Sequence, residues 1–328
     1  MIKKLFLGTA LITSFSGISQ SYSPPAGQPG STAIHKDDNV FVGWATGAEV
    51  VRGFLNASDT TFKINGNNRA SYGIPSKATG KAEGSSMDVV SLGDGGTATL
   101  TFAHPIKNGT GPDFAVFENS FTNDFLELAF VEVSSDGEHF FRFPAHTEVQ
   151  SVTQISTYGT MDCRYIHNLA GSFIQGYGTP FDLEDLQDDV LLDKNNITHV
   201  RIIDVIGSID PAIGTRDSHG NLVNDPFPTP FESCGFDLDA VGVIHQNILG
   251  KEELQLLASV YPNPVEDQLT IELSQPAVIR MYTLTGEKVL ETEKGIYFQL
   301  DVANKSAGVY LLTISSDKGQ KTERIIVK

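Results

Sequence analysis

Short apolar runs that alternate with period two, each cut off by Gly, Pro or Asp turn residues, constrain this chain more than any other feature. A strand sends successive side chains to opposite faces, so such runs read as half-buried strands. Thr97-Ala-Thr-Leu-Thr-Phe follows the turn Gly93-Asp-Gly-Gly, and Phe114-Ala-Val-Phe and Leu126-Glu-Leu-Ala-Phe-Val-Glu-Val-Ser come next. Ser135-Asp136-Gly137 then turns the chain into Phe140-Phe-Arg-Phe, and residues 197–206 and 236–244 supply two further runs. The expected class is all-β, a sandwich or barrel. One helix is expected over residues 182–193, where Leu183, Leu186 and Val190 would share a face behind Thr179-Pro180 and six acids would be solvated.

Four segments are expected: residues 1–21, 22–247, 248–258 and 259–328. The first carries Lys3 and Lys4 before Leu5-Phe-Leu-Gly-Thr-Ala-Leu-Ile-Thr-Ser-Phe, with small residues at Ser16, Gly17 and Ser19. That is the pattern of a secretory signal peptide, whose apolar run of roughly a dozen residues is too short to span a bilayer. No later stretch is apolar for long enough to suggest a transmembrane helix. Of the net charge of −17, all is carried by residues 22–247, with 12 basic against 29 acidic side chains; the ends nearly cancel. Such a balance argues against nucleic acid and anionic membrane surfaces as partners.

Residues 248–258 read as a linker. Beyond it come Val260-Tyr-Pro-Asn-Pro-Val-Glu-Asp-Gln-Leu-Thr-Ile, Val278-Ile-Arg-Met-Tyr-Thr-Leu-Thr-Gly-Glu-Lys-Val-Leu, Ala307-Gly-Val-Tyr-Leu-Leu-Thr-Ile and the basic end Arg324-Ile-Ile-Val-Lys. Pattern alone gives a small β-sandwich, immunoglobulin-like, with turns at Thr285-Gly286 and at Asp317-Lys-Gly. The order of Pro262, Asn263, Pro264, Gly286, Gly308, Tyr310 and Lys328 closely resembles the C-terminal sorting domain of the type IX secretion system of the Bacteroidetes. That resemblance implies passage across the outer membrane by the type IX machinery, followed by attachment to the cell surface or release.

In the larger region, Val131-Glu-Val-Ser-Ser-Asp-Gly-Glu-His-Phe with the later His199-Val-Arg-Ile resembles galactose-binding-like jelly rolls of the discoidin type. Ala45-Thr-Gly-Ala-Glu-Val-Val-Arg-Gly, Gly111-Pro-Asp-Phe-Ala-Val-Phe-Glu-Asn and Asp225-Pro-Phe-Pro-Thr-Pro-Phe resemble an uncharacterised group of bacterial surface proteins, some linked with cobalamin uptake. These likenesses imply a jelly-roll-like sandwich that binds a glycan or a corrinoid, the latter passed to an outer-membrane transporter, and many such modules hold calcium.

Calcium needs six to eight oxygens, which Asp and Asn in turns supply. Asp217, Asn221 and Asp225 surround a Gly turn, while Asp113 and Glu118 flank one strand and Asp237 and Asp239 lie on the last. If Leu238 packs inward, Asp237 and Asp239 share the other face. Rigid aromatics beside proline suggest a ligand platform of Tyr177, Phe181, Phe227 and Phe231, the alternative being satellite core. Cys163 and Cys234 would be free to pair in an exported protein, closing a loop of about 70 residues worth on the order of 4 kcal/mol, or would stay separate buried thiols.

No catalytic residue is assigned. There is no His-Glu-x-x-His, Gly-x-Ser-x-Gly or phosphate loop, and the eight His show no close pair suited to zinc. A hydrolase using paired carboxylates, Glu118 with Glu127 or Asp204, is one alternative to a binding protein. A structural or adhesion protein of the cell envelope is another.

Overall fold

In a computed structural model of the protein, residues 22–247, 258–316 and 319–328 are described. The expected signal peptide and nearly all of the expected linker lie outside them, as do Asp317 and Lys318 of the last turn. The chain divides into two compact units, residues 1–247 and 248–328.

Among the described residues, twelve strands build the larger unit: β1 Ile34–His35, β2 Gly43–Val51, β3 Val90–Ser91, β4 Thr97–Ile106, β5 Phe114–Glu118, β6 Ala129–Ser134, β7 Phe141–Arg142, β8 His146–Thr147, β9 Ile166–His167, β10 Tyr177–Phe181, β11 Ile197–Asp204 and β12 Asp237–Val243. Ten form one curled sheet in the order β1-β10-β5-β12-β2-β4-β11-β6-β7, with β3 beside β12; β8 and β9 make a separate ribbon. Strand β2 turns the corner. Its first residues pair β12 (Trp44 with Gly242), and from Ala45 through Val51 it pairs β4, with a register shift between Ala45 and Gly47. Gly47 suits that corner because a Cβ there would stand 2.5 Å from Thr101 Oγ1.

Curling closes the sheet over one core, in which Phe114 and Val116 of β5 and Leu238, Val241 and Val243 of β12 meet Leu100, Val131, Val133, Val200 and Ile202. This is the expected all-β sandwich. The expected helix is absent: a 3₁₀ turn, Leu183–Asp185, is capped by the Asp182 carboxylate accepting from Glu184 N, and the chain then leaves helical geometry. Leu183 and Leu186 are buried, but Val190 is 99% exposed, so no apolar stripe reaches a second turn. With six acids in twelve residues, mutual repulsion outweighs the gain from burying two leucines.

The smaller unit has β13 Ala258–Tyr261, β14 Gln268–Thr283, β15 Lys288–Glu291, β16 Gly295–Asp301, β17 Gly308–Ser316 and β18 Gly319–Val327. Strand β14 pairs β13 and β16 along its first half and β15 and β17 along its second. Leu269, Ile271, Ala277, Ile279 and Met281 of β14 face a core completed by Leu312, Ile314 and Ile325. The Pro-Asn-Pro segment clasps the chain's end. Asn263 Nδ2 donates to Arg324 O (2.8 Å), its Oδ1 accepts from Ile326 N (2.9 Å), and Lys328 N donates to Val265 O (2.9 Å). Tyr310 is buried with its hydroxyl on Ser306 O, Gly286 sits in a turn at φ 87°, and Gly308 opens β17 with nothing crowding it.

Candidate functional site: an aromatic cleft over buried carboxylates

Pairing of β5 with β12 sets Leu238 opposite Glu118, which draws the end of one strand and the start of the other together. Leu238 does pack inward, so Asp237 and Asp239 leave the core side. Asp237 accepts from Asn119 Nδ2 (2.9 Å) and from Ser91 Oγ, and the nearby Arg52 guanidinium partly offsets its charge. Asp239 is instead satisfied by the covering loop, accepting from Glu83 N (3.0 Å) and Gly84 N (2.8 Å).

Beside Asp237, Glu118 is 1% exposed. Its Oε2 accepts from Ser120 N and Ser120 Oγ, both at 2.7 Å, while Oε1 has no partner. Asp225 accepts from Leu128 N through Oδ2 (2.8 Å), and its buried Oδ1 is likewise unpartnered. Asp204 accepts from Phe236 N and Gly95 N. Glu127, half-buried, makes no side-chain hydrogen bond among the described residues and lies in the field of Asp237, Glu118, Asp225 and Asp204. Burial raises every one of these carboxyls above the ordinary range, Glu118 to about 8 and Asp237 to about 7, and neighbouring acids add to it at Glu118, Glu127, Asp204 and Asp225. A buried carboxylate with an idle oxygen is costly unless a proton or a cation accompanies it.

Two of these acids, Glu127 and Asp237, line a cleft of about 300 Å³ together with Asn119, Phe121, Phe125, Tyr158 and Phe231. Phe121 stacks near Phe125 (centroids 6.0 Å, 25°) and Tyr158 near Phe231 (6.1 Å, 27°). Phe121, Tyr158 and Phe231 are exposed, so the walls present apolar faces to water beside charged groups. A roomier hollow of about 410 Å³ is lined by Tyr22, Cys163 and His167, with Tyr22 stacked on His167, but none of this acid group lines it.

The expected ligand platform is only partly assembled. Phe231 is on the cleft wall. Phe181 is core, stacked on Phe114 (5.4 Å, 13°), Phe227 is buried, and Tyr177 is half-buried against His35. Phe121, Phe125 and Tyr158 are not among the expected ligand-binding residues, although Phe121 and Tyr158 sit among small polar residues, as loop-borne rings often do.

The seven expected calcium ligands do not form one site. Asp113 lies at the far end of β5, accepting from Gly109 N, Leu183 N and His245 Nδ1. Asp217 and Asn221 are bonded to each other in another turn, while Asp225 accepts from Leu128 N and lies in the field of Glu118 and Asp94. Cys163 and Cys234 are not bridged: both are buried free thiols, in different apolar clusters, bonded to Ser23 O and Phe54 O respectively. Burial pushes both thiols up, Cys163 to about 11, so neither is a reactive thiolate.

Residues 259–328 match the secretion system C-terminal sorting domain. The tail is that domain, and it directs the chain through type IX secretion to the cell surface or extracellular space. No curated protein matches the chain. Among solved structures, a β-glucuronidase from Ruminococcus gnavus in complex with D-glucaro 1,5-lactone is 13% identical, with a TM-score of 0.19 over 71% of this chain and 36% of that one. A biofilm associated protein's BSP domain is 9% identical, with a TM-score of 0.21 over 71% and 48%. The chain thus spans about a third of the β-glucuronidase's length, and at such TM-scores neither likeness bears on its fold or function. No helix among the described residues is long and apolar enough to cross a membrane.

Proposed function

We propose that the larger unit, carried outside the cell by the tail, is a non-catalytic binding module whose ligand is a ring compound, a glycan or a corrinoid, seated between the two aromatic pairs. The observation that carries this is that two stacked aromatic pairs line one cleft together with Glu127 and Asp237. Ring faces bind C–H-rich or flat surfaces, and the carboxylates in the cleft accept hydrogen bonds from hydroxyl or amide groups. A corrinoid would then be passed to an outer-membrane transporter.

Calcium is part of the proposal. The idle Glu118 Oε1 and Asp225 Oδ1, together with Glu127 and Asp237, supply the hard oxygens it prefers, provided the side chains close on it. Titration calorimetry against a glycan panel and cobalamin, with calcium and with chelator, tests both parts. We expect one ligand class to bind, at least tenfold more weakly in Tyr158→Ala and Phe231→Ala, and more weakly with chelator. Binding that ignores both substitutions would overturn the cleft assignment; indifference to chelator would remove calcium.

A hydrolase is the second reading, favoured by a Glu118 carboxyl raised to about 8 near Glu127. Asp204 has no place in it, since two backbone donors hold it off the cleft. Release of aryl aglycone by the wild type and not by Glu127→Gln would replace the binding reading.

A further inference from the structure

On the β8–β9 ribbon and the turn at residues 217–221, a second group of side chains meets that the acid cleft does not use. His146 of β8, Asp217 and His219 each offer a ligand atom within 4.8 Å of the others, the sole such grouping among the described residues. From the geometry we infer that His146, Asp217 and His219 form a binding site for a zinc-class divalent metal, leaving one coordination position open.

The donor set decides the metal. Two imidazoles and one carboxylate suit zinc and its first-row neighbours, whereas calcium takes oxygen. The rings of His146 and His219 lie 4.1 Å apart at 55°, so they converge without stacking flat. Ligands around tetrahedral zinc stand about 3.3 Å apart, and the exposed His219 is free to swing the remaining distance.

Supporting contacts are of the kind that hold metal ligands. The Tyr22 hydroxyl is 2.6 Å from His146 Nδ1; with Nδ1–H donating to it, Nε2 keeps the lone pair a metal needs. Tyr22 is itself stacked on His167 (4.8 Å, 12°), which faces His146 across the ribbon. Asp217 is anchored by Thr147 N (2.9 Å), His219 N (2.9 Å) and Asn221 N (2.8 Å). The longer bond from Asn221 Nδ2 (3.1 Å) is the one a metal displaces. Two histidines 73 residues apart carry no spacing signal, which is why the sequence shows no zinc pattern.

The test uses the untagged exported protein, stripped with chelator and titrated with zinc alone against a colorimetric zinc indicator. We expect one zinc per chain and at least tenfold weaker binding in His146→Ala and in His219→Ala. Cobalt(II) in place of zinc is expected to give a visible absorption that both substitutions abolish. Because His219 is exposed, His219→Ala keeps the fold, checked by unchanged metal-free unfolding. Asn221→Ala is expected to keep zinc within about threefold, and millimolar calcium is expected not to displace it. Absence of stoichiometric zinc, zinc unaffected by both histidine substitutions, or zinc displaced by calcium would overturn the site.

Discussion

Phe181 and Phe231 each follow a proline, yet one is 1% exposed and the other 40%. Local sequence makes a rigid ring; cross-strand pairing decides its use. Phe181 of β10 pairs Phe114 of β5, so its ring is enclosed as soon as the strands join, while Phe231 lies on a loop that no strand covers. Phe181→Ala should therefore cost about 3–5 kcal/mol of stability in denaturant unfolding, and Phe231→Ala less than about 1 kcal/mol. Binding should show the opposite order, with Phe231→Ala weakened and folded Phe181→Ala nearly unchanged. Equal stability losses would contradict the division. The same logic explains which residues of the candidate site were legible. Glu118, Glu127, Asp237 and Phe231 stood out as acids on strands or as an aromatic beside proline. Glu118 is grouped with Glu127 and with Asp237 from sequence alone, but that Glu127, Asp237 and Phe231 line one cleft is not legible there, because it depends on β5 pairing β12 across more than a hundred residues. Phe121, Phe125 and Tyr158 lacked a proline neighbour and passed as ordinary loop aromatics.

Local apolar patterning marks β4, β5, β11 and β12 within a few residues: β4 and β11 alternate because one face packs on the core, whereas β5 and β12 are short apolar runs buried on both faces. Ambiguity entered where an element is short or changes partners, as at β2. The stretch 182–193 failed for a related reason. Its apolar spacing suited a helix, but spacing is only permission, and no partner surface exists for the third position. Lys194 balances only one of the acids, Asp188, and donates to Leu186 O (2.7 Å), a contact made by the non-helical path. In a helix, Leu183, Leu186 and Val190 would all be costly to truncate. In this structure Leu183→Ala should lose about 2–5 kcal/mol and Val190→Ala less than about 0.5 kcal/mol, measured by denaturant unfolding. A comparable loss at Val190 would restore the helix.

At the scale of the whole molecule, the net charge of −17 is more than a solvated coat. Asp94, Glu118, Asp204, Asp225 and Asp237 are buried, so part of the acidity is stored where water cannot relieve it. Burial raises Asp94 to about 6, Asp237 to about 7 and Glu118 to about 8, against about 4 for an unfolded carboxyl. In that window the folded chain holds more protons than the unfolded one, so stability falls as pH rises. The contribution is complete below about pH 4 and is lost as pH climbs through these folded values; Arg52 beside Asp237 offsets a share of the loss. With chelator present, the melting temperature of the larger unit should therefore decline between about pH 5 and pH 8. Trp44, the single tryptophan, packs against Phe41 and Phe117 and reports that unit's unfolding alone. Surface repulsion among exposed acids would give the same sign, but salt screens it within about 3 Å at 1 M and barely reaches buried pairs. A decline that survives 1 M salt and is flattened by calcium would locate the cause in the buried group, since a cation replaces the protons those carboxylates otherwise need. A melting temperature level from pH 5 to pH 8 in chelator would mean the carboxylates are already relieved by contacts within the chain, and calcium would have no charge there to neutralise.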